Sequence, residues 1–294
     1  MSVRIQGLTL HAYVRWLAAA AWILIIAGGL VTSTGSGLSV PDWPLSYGRF
    51  FPPMIGGIRF EHTHRVIAGL VGVLTLGMTV LFLRSEQRVW VKQLAFLALL
   101  MVVAQALLGA LTVVWLLPTA VSVLHACLAQ TFFCVLAALA TVTSREWMLA
   151  PSQPVLFRKA DSTKRLFAAA FFFLFMQLVT GAVVRHTAVR TGLGFHIVGA
   201  GLATLHVILV LARIARSTEL QGRWMTQGWA MGLLLVLQIF FGLGAWSSRP
   251  HLEGEILSSR EILFTTAHQA SGALLLALMA ILLLRALRTL RTAS

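Results

Sequence analysis

Residues 64–70, H-R-V-I-A-G-L, return 132 positions later as residues 196–202, H-I-V-G-A-G-L, and this repeat decides how the chain is read. A second pair follows the same rule, with H-A-C-L-A-Q at 125–130 answered by H-Q-A-S-G-A at 268–273. Each histidine stands where an apolar run begins. Imidazole is costly to place in hydrocarbon, so two histidines recurring in both copies of a duplicated unit point to two internal metal or cofactor sites.

Working outward, 58% of the 294 residues are hydrophobic and only 11% are charged, which no soluble domain of this size shows. Apolar runs of about 20 residues cross a bilayer as helices, and they fall at 13–32, 66–83, 94–115, 120–143, 166–184, 196–214, 228–246 and 263–284. The first has no convincing cleavage site and is expected to be a retained helix rather than a signal peptide. Of the 23 Lys and Arg residues, 16 lie in the N-terminus, the 84–92, 144–165 and 213–223 loops and the tail. Both termini are therefore expected in the cytoplasm, with the protein in the cell inner (plasma) membrane. The net charge of +14 then sits against anionic headgroups, and no nucleic-acid partner is needed to explain it. Cys127 and Cys134 fall on one helix about 10 Å apart, beyond disulfide reach, and are read as packing residues.

The predicted fold class is an all-α polytopic membrane protein, with eight transmembrane helices forming two pseudo-symmetric four-helix bundles. The halves, 1–155 and 156–294, divide in the polar 144–165 loop with its Pro151 and Pro154. Each has an even number of helices, so the two share one orientation. A Q-x-x-x-G spacing occurs three times, at Gln105/Gly109, Gln177/Gly181 and Gln238/Gly242, and is read as close helix packing with an amide bonding across the gap.

This topology sets His64, His125, His196 and His268 within about two turns of the outer ends of their helices. Two facing imidazoles in a four-helix bundle suit a heme iron. Zinc or copper would call for further Cys, His or carboxylate ligands at close spacing. His206 is rotated away from His196 and has only Leu74 as its counterpart; His11, His62, His186 and His251 lie in loops or at helix edges. Glu61 is on nearly the same helix face as His64, whereas its counterpart is Leu193, so the halves differ by one carboxylate. Glu61 is either a proton-exchanging group or an interfacial partner of Arg65 or Arg59. Residues 33–61, rich in Gly and Pro, form a lid over the first pocket, with Trp43, Phe50 and Phe51 at the interface. Arg49, Arg59, Arg185, Arg190 and Arg249 are the outer cations available to propionate groups.

T-G-S-G-L-S-V-P-D-W-P at 34–44, E-H-T-H-R at 61–65 and the histidines at 125, 196 and 268 together resemble the heme A synthase family over nearly the whole chain. The resemblance implies oxidation of a ring methyl of heme O to a formyl group by successive hydroxylations, giving heme A for cytochrome oxidase. It implies that His64 and His125 flank the substrate heme O in the N-terminal half and that His196 and His268 are axial ligands of heme b in the C-terminal half. Glu61 becomes the catalytic carboxylate. The implied partners are heme O, heme O synthase, an electron donor and membrane lipid; a homo-oligomer is left open. Many members carry cysteines flanking P-D-W-P-L, where this chain has Val40 and Ser46, so thiol-dependent electron entry is not expected. The competing reading is a diheme electron-transfer protein of cytochrome b type, oxidising quinol without altering heme. A third, a proton or metal path, predicts a colourless protein.

Overall fold

A computed structural model describes residues 2–149, 155–187, 190–248 and 258–292. Eight helices long and apolar enough to cross a membrane account for about four-fifths of them. In hydrocarbon every backbone polar group must be paired within the segment, which an α-helix achieves and an open loop does not. The spans are α1 (Ser2–Ser33), α2 (Ile58–Ser85), α3 (Val89–Val114), α4 (Thr119–Val142), α6 (Ala160–His186), α7 (Arg190–Ala215), α8 (Thr218–Ser247) and α9 (Ser259–Thr289). Most run beyond the apolar stretches that announce them, because polar first and last turns stay helical at the interface. α8 and α9 open on serine caps: Ser217 accepts from the Leu220 N–H and Ser258 from the Glu261 N–H.

The spans form two rings. α1 packs on α2, α2 on α3, α3 on α4 and α4 back on α1; α6, α7, α8 and α9 close in the same order. Between the rings, α1 meets α9, α4 meets α6, and α4 meets α9. Exchanging each helix for its counterpart leaves this set of contacts unchanged, as a twofold relation between halves requires. α9 is the most enclosed span. Ala273 and Ala277, one turn apart, let it close on the first core, while Leu275, Leu276, Met279 and Leu282 fill the second. The Trp22 indole N–H of α1 crosses the seam to the Ala270 carbonyl, 3.0 Å away.

The connection between halves is more structured than its composition suggests. It holds a short helix α5 (Arg145–Leu149) and a strand β1 (Val155–Leu156) that pairs in parallel with β2 (Leu290–Arg291). Val155 belongs to the second core. Pro151 and Pro154 lie outside the described residues.

Candidate functional site

All four histidines lie at one end of the molecule. Each sits six to nine residues inside its helix, His64 on α2, His125 on α4, His196 on α7 and His268 on α9. Each ring is seated against a glycine of the preceding span. A Cβ added to Gly28 would stand 3.1 Å from Cε1 of His64; the equivalent distances are 3.3 Å for Gly109 and His125, 3.2 Å for Gly181 and His196, and 2.9 Å for Gly242 and His268. A side chain at Gly242 would force the ring to move, and one at the other three seats would press on it by a few tenths of an ångström. The Q-x-x-x-G motif is thus a histidine seat as well as a packing device. The first seat, Gly28, carries Leu24 in place of the glutamine, which hides it in the sequence.

In the second bundle the chemistry of the partners fixes the imidazole tautomers. His268 Nδ1 lies 3.0 Å from the Gln238 carbonyl, which can only accept, so Nδ1 carries the proton. The Gln238 amide lies 3.3 Å from His268 Nε2 and donates to it, and Ser271 donates to Gln238 Oε1 at 2.6 Å. The Thr180 hydroxyl donates to the Met176 carbonyl at 3.0 Å and therefore accepts from His196 Nδ1, also at 3.0 Å. With Nδ1 as the donor, the neutral ring carries its lone pair on Nε2, the tautomer that binds iron, and at His268 the Gln238 amide would have to give up that lone pair for iron to take it.

The ring centroids of His196 and His268 are 6.2 Å apart, with planes crossing at 81°. Two metal–nitrogen bonds of about 2 Å, plus about 1 Å from each nitrogen to its ring centre, span about 6 Å. The pair therefore fits axial ligation of one iron. Among the described residues no three His, Cys, Asp or Glu side chains converge on a point, so the remaining coordination has to come from the bound group, as a porphyrin provides it. His64 and His125 lie within electrostatic reach of each other. No bond as well formed as that of His268 reaches their buried Nδ1 atoms, but the Leu24 and Gln105 backbones stand behind His64 and His125 as Gln238 stands behind His268, so the two bundles differ in how tightly the rings are held.

Glu61 is 4% exposed in the first turn of α2. Its Oε2 accepts the Val40 N–H at 2.9 Å and its Oε1 pairs with Arg65 at 2.5 Å. Arg65 also donates to the Asp42 and Leu45 carbonyls at 2.6 and 2.7 Å. This ion pair clamps the 34–57 loop onto α2. The loop is braced from within: Asp42 accepts the N–H groups of Tyr47 and Gly48, which hold its carboxyl below the usual range, the Gly48 bond contributing most. Tyr47 has a positive φ of 55°, and Gly48 follows at 67°. Ser46 bonds His62 Nδ1 at 2.9 Å, so that histidine serves the loop.

His206 bonds its own helix at the Leu202 carbonyl and stacks on Phe173, away from His196. His11 lies inside α1, at the opposite end, against Thr143. Arg59 lies over the Phe60 ring, and Arg185 donates to the buried Ser33, which also meets Thr265 and Thr266 of α9. Arg249, His251 and the Arg190 side chain fall outside the described residues. One buried acid escaped the sequence reading: Glu261, 6% exposed, stands two turns before His268 in α9. The apolar run that marks this span starts at 263, which leaves Glu261 just outside it. The second bundle therefore also carries a carboxylate, placed differently from Glu61.

The chain is similar to known proteins. The cytochrome oxidase assembly protein family COX15-CtaA matches residues 58–192, which include Glu61, His64 and His125. A heme A synthase of Exiguobacterium is 30% identical over 246 residues, 76% of this chain and 78% of that protein. The chain belongs to the heme A synthase family. Heme A synthases of Bacillus pumilus, at 33% identity over 171 residues, and Halalkalibacterium halodurans, at 31% over 176, match shorter stretches, 55% and 58% of those proteins. Membership implies that this multi-pass membrane protein works with heme.

Proposed function

We propose that the two imidazole pairs divide heme A synthesis between a passing porphyrin and a resident one. The enzyme converts heme O to heme A for cytochrome oxidase, and family membership does not favour the electron-relay alternative. On this reading the N-terminal half, 1–155, takes heme O between His64 and His125, and the C-terminal half, 156–294, holds heme b between His196 and His268.

The observation that carries the division is what stands behind each imidazole. In the second pair Thr180 and the Gln238 carbonyl bond both Nδ1 atoms at 3.0 Å, whereas behind the first pair the Leu24 and Gln105 backbones make only looser contact. Partners behind a ligating histidine lock its orientation and change metal affinity by about 10–100-fold. A cofactor that stays benefits from that lock, and a substrate that must leave as product does not.

A heme b in the second half supplies one-electron redox chemistry. The chain's own residues do the rest at the substrate site. Glu61, held between Val40 N–H and Arg65, is an acid one helical turn from His64 that can accept or deliver a proton near the reacting methyl. The 34–57 loop, fastened by Arg65 and Asp42, covers the outer end of α2 and limits water there. The basic loops support a reading with both termini in the cytoplasm and the histidine end toward the outer face of the plasma membrane. Heme O synthase and an electron donor are the partners such an enzyme needs.

Hemes extracted from membranes expressing the chain with a heme O source test the reaction: the O type should shift to the A type. His196→Ala should lose a tightly held low-spin heme while His64→Ala keeps it. An unchanged low-spin spectrum in His196→Ala would overturn the division between the halves.

A further inference from the structure

At the end of the molecule opposite the histidines, a cleft of about 260 Å³ opens between α5, the start of α8 and the end of α9. Arg223 and Arg285 flank it, Trp147 and Trp224 form walls, and Glu146 reaches across to Arg285 at 2.9 Å. Arg288 lies over the Trp147 ring, 5.5 Å from its centroid, and adds a third positive charge beside the opening. None of these residues belongs to the heme chemistry.

We propose that this cleft binds the phosphodiester headgroup of one anionic phospholipid. Two guanidinium groups flanking a small polar cleft match a phosphate, which accepts their N–H groups in pairs. Indoles suit the depth at which headgroups lie, with an apolar face toward the chains and an N–H toward water. From the cleft, α8 presents an exposed apolar stripe of Trp229, Leu233 and Val236, spaced three to four residues apart. An acyl chain attached to a phosphate in the cleft would lie along that stripe, which free phosphate cannot use. Glu146 is the built-in competitor. Its side chain is 75% exposed, and an ion pair so open to solvent adds little net stability, so a phosphate can take its place on Arg285. The cleft joins the connecting segment after α4 to two spans of the second half, so the lipid would brace the junction of the two bundles. This goes beyond the general pairing of basic loops with headgroups by naming one site and its competitor.

Native mass spectrometry of the full-length protein mixed with phosphatidylglycerol or phosphatidylcholine tests it. The wild type should retain one phosphatidylglycerol in preference to phosphatidylcholine, with excess inorganic phosphate leaving it in place. Arg223→Gln and Arg285→Gln should each cut retention about fivefold, the worth of one arginine near an anionic headgroup, and Glu146→Gln should raise it. Arg216→Gln, at the same end but outside the cleft, should change nothing. Equal retention in all variants, or a drop in Arg216→Gln equal to the others, overturns the site. Displacement by inorganic phosphate reassigns it to the free ion and overturns the lipid.

Discussion

Gly242→Ala probes the seat on which the second imidazole pair depends. The new methyl group would stand 2.9 Å from Cε1 and 3.2 Å from Nδ1 of His268, inside ordinary van der Waals contact. Gly242 lies in the interior of α8, so the ring has to yield rather than the backbone. A retreat of about half an ångström pulls Nδ1 off the Gln238 carbonyl and alters the 6.2 Å spacing to His196. Loss of such an orienting partner weakens metal binding by about 10–100-fold, or about 1.4–2.8 kcal/mol. The helix itself gains, since alanine in place of glycine stabilises a helix interior by about 0.5–1 kcal/mol. Fold stability and heme retention should therefore move in opposite directions. Gly232→Ala is the matched control on the same helix, its added methyl meeting only Leu211 at an ordinary 3.7 Å. The assay is bound low-spin heme per protein, with the rate of heme transfer to apomyoglobin as a second readout. Gly242→Ala should lose heme faster than Gly232→Ala by at least about tenfold. Identical rates for the two variants would refute the seat.

Glu61→Gln keeps an acceptor for the Val40 N–H but removes the charge paired with Arg65; heme content should stay near that of the wild type while heme A production falls by at least about 100-fold, and unchanged product would remove Glu61 from the chemistry. Thr180→Val removes the hydroxyl that accepts from His196 Nδ1 at almost constant shape; heme transfer from the second pair should speed up by about 10–100-fold, and an unaltered rate would show that the hydroxyl does not orient the ligand.

The spans were legible because a bilayer imposes a length and a composition that a sequence cannot disguise. The repeat at 64–70 and 196–202 likewise exposed the histidines and the division into halves. Contacts between helices were harder. Each glycine seat precedes its histidine by a different separation, 36 residues for Gly28 and His64 and 15 for Gly181 and His196, because the intervening loops differ in length. No fixed spacing marks the pairing, and only the antiparallel neighbours brought together in the fold disclose it. Glu61 was visible as an acid near His64, yet its hold on the 34–57 loop depends on Val40, whose N–H no composition rule singles out. Glu261 was lost because apolar content alone set the start of α9, while its Ser258 cap lies outside that run.

The histidine tautomers lay deeper still. They follow from whether the atom facing Nδ1 can donate, and that depends on chain order only through packing: the Gln238 carbonyl has no proton to give, and the Thr180 hydroxyl has spent its own on Met176. In the first bundle the same glycine seats are present, with the Leu24 and Gln105 backbones behind the rings in looser contact. On the proposed division of labour, the two copies of one unit serve as a cofactor site and a substrate site with the same ligands. The difference would lie one layer behind them, in how tightly a hydroxyl or a carbonyl holds each imidazole.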